Sequence, residues 1–94
     1  MEGCMTVYMI GYDKVGPNYD YAQLYAAIEN LGSHLHILDS TWLIVSNKAA
    51  TEIHTILVPH THQHDKLIVT EVFGIVASGL KPEERAWLER HQNP

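Results

Sequence analysis

Several groups of residues in this 94-residue chain have types and spacings suited to chemistry. Asp13 closes the apolar run Thr6-Val7-Tyr8-Met9-Ile10-Gly11-Tyr12. A carboxylate at a strand end offers hard oxygen ligands to Mg²⁺ or Mn²⁺. It can equally cap the turn that follows. Asp39-Ser40-Thr41 sets one carboxylate and two hydroxyls in a tight turn, which can line a phosphate or metal site or simply close an Asx-turn. His60, His62 and His64 alternate along a polar loop that ends in Asp65. Alternate residues of an extended stretch point the same way, so three imidazoles could converge on Zn²⁺, Ni²⁺ or Cu²⁺. Solvated loop histidines are the plainer alternative. His34 and His36 also share one side of an alternating segment and could meet a metal or a carboxylate there. The aromatic residues, five Tyr and two Trp among them, could stack on nucleobases. For Tyr8, Tyr12 and Trp42, packing in a sheet or an interface is the competing role. Cys4 has no partner in a nucleophile pattern, and Gly11 and Gly16 lack the spacing of a phosphate-binding loop.

Composition narrows what these groups can do. Ninety-four residues suffice for one domain, here spanning 1–94, whose burial on folding leaves a thin margin of stability. Six Lys and Arg against eleven Asp and Glu give a net charge of −5, which argues against sequence-independent binding to nucleic-acid phosphates. Hydrophobic residues make up 46% and charged residues 18%, which excludes a disordered or low-complexity chain. The single cysteine excludes an internal disulfide scaffold, and a reducing, cytoplasmic setting is expected. No apolar run approaches the ~18 residues that cross a bilayer, so no membrane partner is expected. Met5 is a second candidate start, which would make residues 1–4 a leader.

The elements that must position these groups follow from periodicity. Thr6 to Tyr12 reads as a strand. Tyr21, Leu24, Tyr25, Ile28 and Leu31 recur at three and four residues and predict a helix from Asp20 to Leu31, with Asn18 or Asp20 as cap and Gly32 after its end. His34–Leu38 and Thr41–Val45 form a hairpin about Asp39-Ser40. A second helix is expected from about Lys48 to Leu57, capped by Ser46 or Asn47 and ended by Pro59. Lys66–Val72 is a fourth strand. Residues 73–79 read as a continuation, a bulged bend or a short fifth strand. Pro82-Glu83-Glu84 opens a C-terminal helix within residues 80–94.

This order is βαββαβ with a short C-terminal extension and helix, the α+β ferredoxin-like unit. Two helices cover one side of its sheet. Yet Val7 and Met9 oppose Tyr8 and Ile10, Leu43 and Val45 oppose Trp42 and Ile44, and Leu67 and Val69 oppose Ile68. Both sides of the sheet are therefore apolar, and the side without helices must be covered. A second copy in a two-fold homodimer does this most simply; the C-terminal segment folding back is the alternative.

The strand end Ile10-Gly11-Tyr12-Asp13 and the segment Leu38-Asp39-Ser40-Thr41-Trp42-Leu43-Ile44 resemble the small dimeric CRISPR-adaptation proteins of the Cas-two family and the VapD-type toxin endoribonucleases. The likeness covers residues 5–80 and is strongest to stand-alone, SinR-like bacterial or phage members outside CRISPR loci. It implies a ferredoxin-like homodimer whose strand-end aspartates face each other near the axis and share a divalent metal. Some members are metal-dependent nucleases; others are architectural or binding subunits. By that resemblance Asp13 is the catalytic residue and the Mg²⁺ or Mn²⁺ ligand, with Tyr12, Ser40 and Thr41 toward the substrate. CRISPR-adaptation members carry basic residues after the aspartate, whereas Lys14-Val15-Gly16-Pro17-Asn18 has a single lysine here. Two readings follow. One is a metal-dependent endonuclease hydrolysing phosphodiesters of RNA or DNA. The other is a catalytically silent dimeric module that binds a nucleotide or a protein, with Asp13 a turn residue.

Overall fold

The computed structural model describes residues 5–13, 20–62 and 65–91. Thr6–Asp13 forms strand β1, His34–Leu38 β2, Thr41–Ser46 β3 and Lys66–Glu71 β4. They make one antiparallel sheet in the order β2-β3-β1-β4. Helices α1 (Ala22–Glu29), α2 (Ala50–Leu57) and α3 (Pro82–His91) complete the α+β chain, an arrangement compatible with the ferredoxin-like unit. Among the described residues no helix is long and apolar enough to cross a membrane.

Local chemistry trims the expected helices. Asp20 Oδ1 accepts the Ala22 N–H at 2.9 Å, so α1 starts at Ala22 and not at Asp20. Ser46 Oγ accepts the Lys48 N–H at 3.1 Å and belongs to the turn before α2. The α2 start is held by Glu52, whose carboxylate accepts the Ala49 N–H at 3.0 Å. Pro59 ends α2, and Val58–His60 tightens into a 3₁₀ turn.

The alternation along β1 and β3 divides the apolar residues into two cores. Tyr8, Ile10, Tyr12, Trp42 and Ile44 face α1 and α2, where they pack with Leu24, Ile28, Ile53 and Leu57. Ile10, Leu24, Ile28, Ile44, Ile53 and Leu57 are fully buried, each contributing roughly 1.5–3 kcal/mol of transfer free energy. On the other side Leu43 and Val45 pack with Trp87 and Leu88 of α3, joined by Val7, Met9, Leu35, Ile37 and, from the segment after β4, Val72, Ile75 and Leu80.

Over Leu43 and Val45 the second apolar side is thus covered by the chain's own C-terminal segment, while Ile68 on the same side is not. Of the two covers expected for this side, a second copy or the C-terminal segment, the chain itself supplies the C-terminal one. Residues 73–78 form no regular element: the β1–β4 pairing extends one more bond, from Val72 N–H to the Val7 carbonyl at 2.9 Å, and then stops. Ile68, Phe73 and Val76 stay exposed.

Ser33 fastens α3 to the sheet. Trp87 Nε1 donates to Ser33 Oγ at 3.0 Å, and Ser33 Oγ pairs with His91 Nε2 at 3.1 Å. With its oxygen occupied by the indole, the hydroxyl is free to donate to a neutral imidazole. Burial first, and then the neighbouring Arg90 charge, lower the His91 pKa below its usual 6.5. The unfolded chain takes up this proton more readily than the folded one. Stability from this contact is therefore complete above about pH 6.5 and is lost as pH falls through the lower folded value. The thermal midpoint of wild type should fall more steeply from pH 7 to pH 5 than that of His91→Gln, which keeps a partner for Ser33 without titrating. Parallel curves would refute the assignment.

Gly32 carries φ +151°, and a Cβ there would run into the Val45 carbonyl, whose own N–H is bonded to Ser33 O at 2.9 Å. Gly32→Ala should cost about 1–3 kcal/mol in denaturant unfolding; an unchanged midpoint would show that the turn between α1 and β2 relaxes around the methyl group.

Candidate functional site

One end of the sheet gathers most of the residues singled out by type. There β1 ends, the β2–β3 hairpin turns and β4 begins. The Tyr12 N–H donates to the Ser40 carbonyl at 3.1 Å, and Gly11 stands opposite Thr41. On the other flank Gly11 pairs with Ile68, Tyr12 with Leu67 and Asp13 with Lys66. Connectivity alone did not bring the hairpin beside Asp13; the β1–β3 register does.

Strand alternation then sorts side chains by face. Cross-strand partners share a face, so Thr41, Asp13 and Lys66 lie on the side away from α1 and α2. Asp13 and Lys66 are exposed. Between Thr41 and Ile68, Gly11 leaves a gap, with nothing within 4 Å of where its Cβ would be. The result is an open sheet end with a carboxylate, an ammonium and a hydroxyl around a bare stretch of backbone. A carboxylate there can take a hard cation, while a lysine can hold phosphate oxygens as a point charge. Lys66 was missed in the sequence because nothing local says which strand β4 joins or in what register.

Tyr12 belongs to the opposite face. It is 7% exposed, and its hydroxyl accepts from Trp42 Nε1 at 3.0 Å. Its ring stacks on Tyr21 at 6.1 Å and lies tilted to Tyr25 at 6.2 Å. Burial, reinforced by a hydrogen bond with Tyr25, pushes its hydroxyl pKa above the usual tyrosine value. Tyr12 is a core group that anchors the strand end, so its ring is not presented to a substrate. Trp42, 2% exposed, is likewise closed to bases.

Of the histidines singled out by spacing, His34, His36 and His62 are held by hydrogen bonds and ring contacts. His36 stacks on Trp42 at 4.1 Å and 10°, and its Nε2 donates to the Asp39 carbonyl at 3.0 Å. His34 Nδ1 donates to the Gly32 carbonyl at 3.0 Å. The expected convergence of His60, His62 and His64 assumed an extended stretch, but His60 closes the 3₁₀ turn and His64 lies outside the described residues. His62 joins a latch: its N–H donates to Asp65 Oδ2 at 3.0 Å, its ring meets Tyr21 edge-on at 5.2 Å, and Tyr21 donates to Asp65 Oδ1 at 3.2 Å. The latch ties the loop before β4 to the start of α1. Among the described residues no group of three or more His, Cys, Asp or Glu is placed to hold a metal ion.

Tyr12→Phe removes the acceptor for a buried indole N–H while leaving the ring in place. It should cost about 1–3 kcal/mol in denaturant unfolding, with the folded spectrum retained. No loss would mean that another group takes up the Trp42 N–H.

Comparison with protein-family models, with curated proteins and with solved structures gives no match to this chain.

Proposed function

We propose that this chain is a Cas-two-like or VapD-like protein of ferredoxin-like fold that acts as a two-fold homodimer. In it, Asp13 binds Mg²⁺ or Mn²⁺ for hydrolysis of phosphodiester bonds in RNA or DNA. The observation that carries this reading is the strand register. It sets the exposed Asp13 opposite Lys66 and brings the Ser40-Thr41 turn against the same end of β1. The sheet order, with β1 central and β4 at its flank, also fits the ferredoxin-like unit that the reading requires.

One chain brings one strand-end carboxylate, so in this reading Asp13 and Asp13 of a second copy would hold the cation together. When bound, the cation supplies a Lewis acid and lowers the pKa of a coordinated water. Asp13 holds that cation at the open sheet end. Lys66 draws a phosphate oxygen toward it, and the Thr41 hydroxyl on the same face orients the phosphate. Tyr12, fixed by Trp42 and Tyr25 beneath the sheet, keeps the strand end from shifting.

A second reading, a catalytically silent assembly module, is favoured by one observation of its own. Phe73 and Val76, 81% and 98% exposed, present apolar surface on a chain of net charge −5. The two readings separate in one set of assays. Wild type, Asp13→Ala and Lys66→Ala are incubated with single- and double-stranded RNA and DNA in Mg²⁺ or Mn²⁺, and molar mass is measured by light scattering. The nuclease reading expects cleavage by wild type, none by Asp13→Ala, weaker cleavage by Lys66→Ala, and the mass of two chains. Equal cleavage by wild type and Asp13→Ala removes Asp13 from the reaction. A two-chain mass without cleavage selects the assembly module, and a one-chain mass overturns the dimer.

A further inference from the structure

Far from Asp13, a cavity of 590 Å³ opens between the start of β1, the segment after β4 and the last turn of α3. That volume lies within the range of small-molecule sites. Met5, Val7, Val45, Val72, Phe73 and Ile75 form its apolar walls. Register decides which polar side chains reach it. Val7 and Val45 are partners and belong to the core under α3. Thr6 and Glu71 also border the cavity, but they are one residue out of step. Thr6 pairs with Ser46, and Glu71 pairs with Tyr8, which faces α1 and α2. By alternation the Thr6 hydroxyl and the Glu71 carboxylate turn toward the helix side, and their backbones border the cavity.

Among the described residues, the charge at the opening therefore comes from the end of α3, where Arg90 and His91 line it together with Ser33. Ser33 and His91 are already bonded to each other. Arg90 is exposed and forms no ion pair among the described residues. An apolar chamber with an unpaired guanidinium at its rim is complementary to a molecule with an apolar body and one anionic head. Phe73 on its wall is 81% exposed, so an apolar occupant would also remove ring surface from water.

We propose that this cavity binds a free single-chain alkyl carboxylate, its chain lying between Val7, Val45, Phe73 and Ile75 and its carboxylate on Arg90. This site is independent of the phosphodiester reading, and loss of that reading leaves it standing.

The test is isothermal titration of the full chain with decanoate, kept below its micelle concentration, with decanol and decyltrimethylammonium as head-group controls. Wild type should show one saturable site per chain for decanoate. Arg90→Gln, an exposed change, should leave the thermal midpoint unmoved and weaken binding roughly tenfold, while Arg90→Lys recovers part of the affinity. The controls should bind at least as weakly as decanoate does to Arg90→Gln. No saturable heat, equal binding by decanol, or indifference to Arg90→Gln each overturns the proposal. So does a two-chain species that decanoate leaves intact and Phe73→Asp splits, because the cavity would then be the seat of a second copy.

Discussion

Everything in this fold depends on β1 being apolar on both sides. Val7 and Met9 look one way, Tyr8, Ile10 and Tyr12 the other, and β3 repeats the pattern beside it. A strand of this kind is stable only as the middle layer of three. Helices α1 and α2 supply one outer layer. The other is supplied by α3 and the segment leading to it, whose Trp87 and Leu88 bury against Leu43 and Val45. A single chain of this length thereby gains a second core without a partner, which offsets the thin burial expected of a small domain.

The same constraint shapes the candidate site. At the end of β1 the burial demand changes sides. Tyr12 is drawn into the helix-side core and locked by Trp42, while Asp13, one residue on, is turned out to the opposite face beside Lys66. α3 reaches the opposite end of that face, near Ser33 and the start of β1, where its last turn borders the cavity. One face thus holds two features: an open polar end around Asp13, and an apolar chamber with a cationic rim under α3. The acidic charge of the chain bears on them differently. It opposes approach of a polyanion to the first, whereas Arg90 gives the second a local positive field at short range.

Much of this was legible in the residues. Period-two and period-three-to-four patterns located the strands and the first two helices among the described residues, because burial of a face is written directly into spacing, while α3 was marked by the Pro and acids of its first turn. The apolar character of both sheet faces was legible for the same reason. Element ends were less so. Asp20, Ser46 and Glu52 all have capping chemistry, and only the hydrogen bonds formed show that Ser46 serves the turn before α2 while Glu52 holds the helix start. The histidine alternation assumed an extended stretch from His60, whereas Val58–His60 is a 3₁₀ turn that Pro59 helps to form, and His64 lies outside the described residues.

What covers the second face, and what stands beside Asp13, belonged to tertiary structure. Trp87 and Leu88 are anchors on a mostly polar helix, and their spacing does not say which surface they meet; the bonds that join Ser33 to Trp87 and His91 do. Lys66 is an ordinary lysine at a strand start until the β1–β4 register sets it opposite Asp13. Local sequence determines which residues form strands and which side of each strand is apolar, because those are short-range energies. It leaves open which residue faces which across a sheet, because that follows from matching two faces at once over the whole chain. The −5 charge was plain from the first count of residues, while its meaning for function depends on where the fold sets the few cations, Lys66 opposite Asp13 and Arg90 at the rim of the cavity.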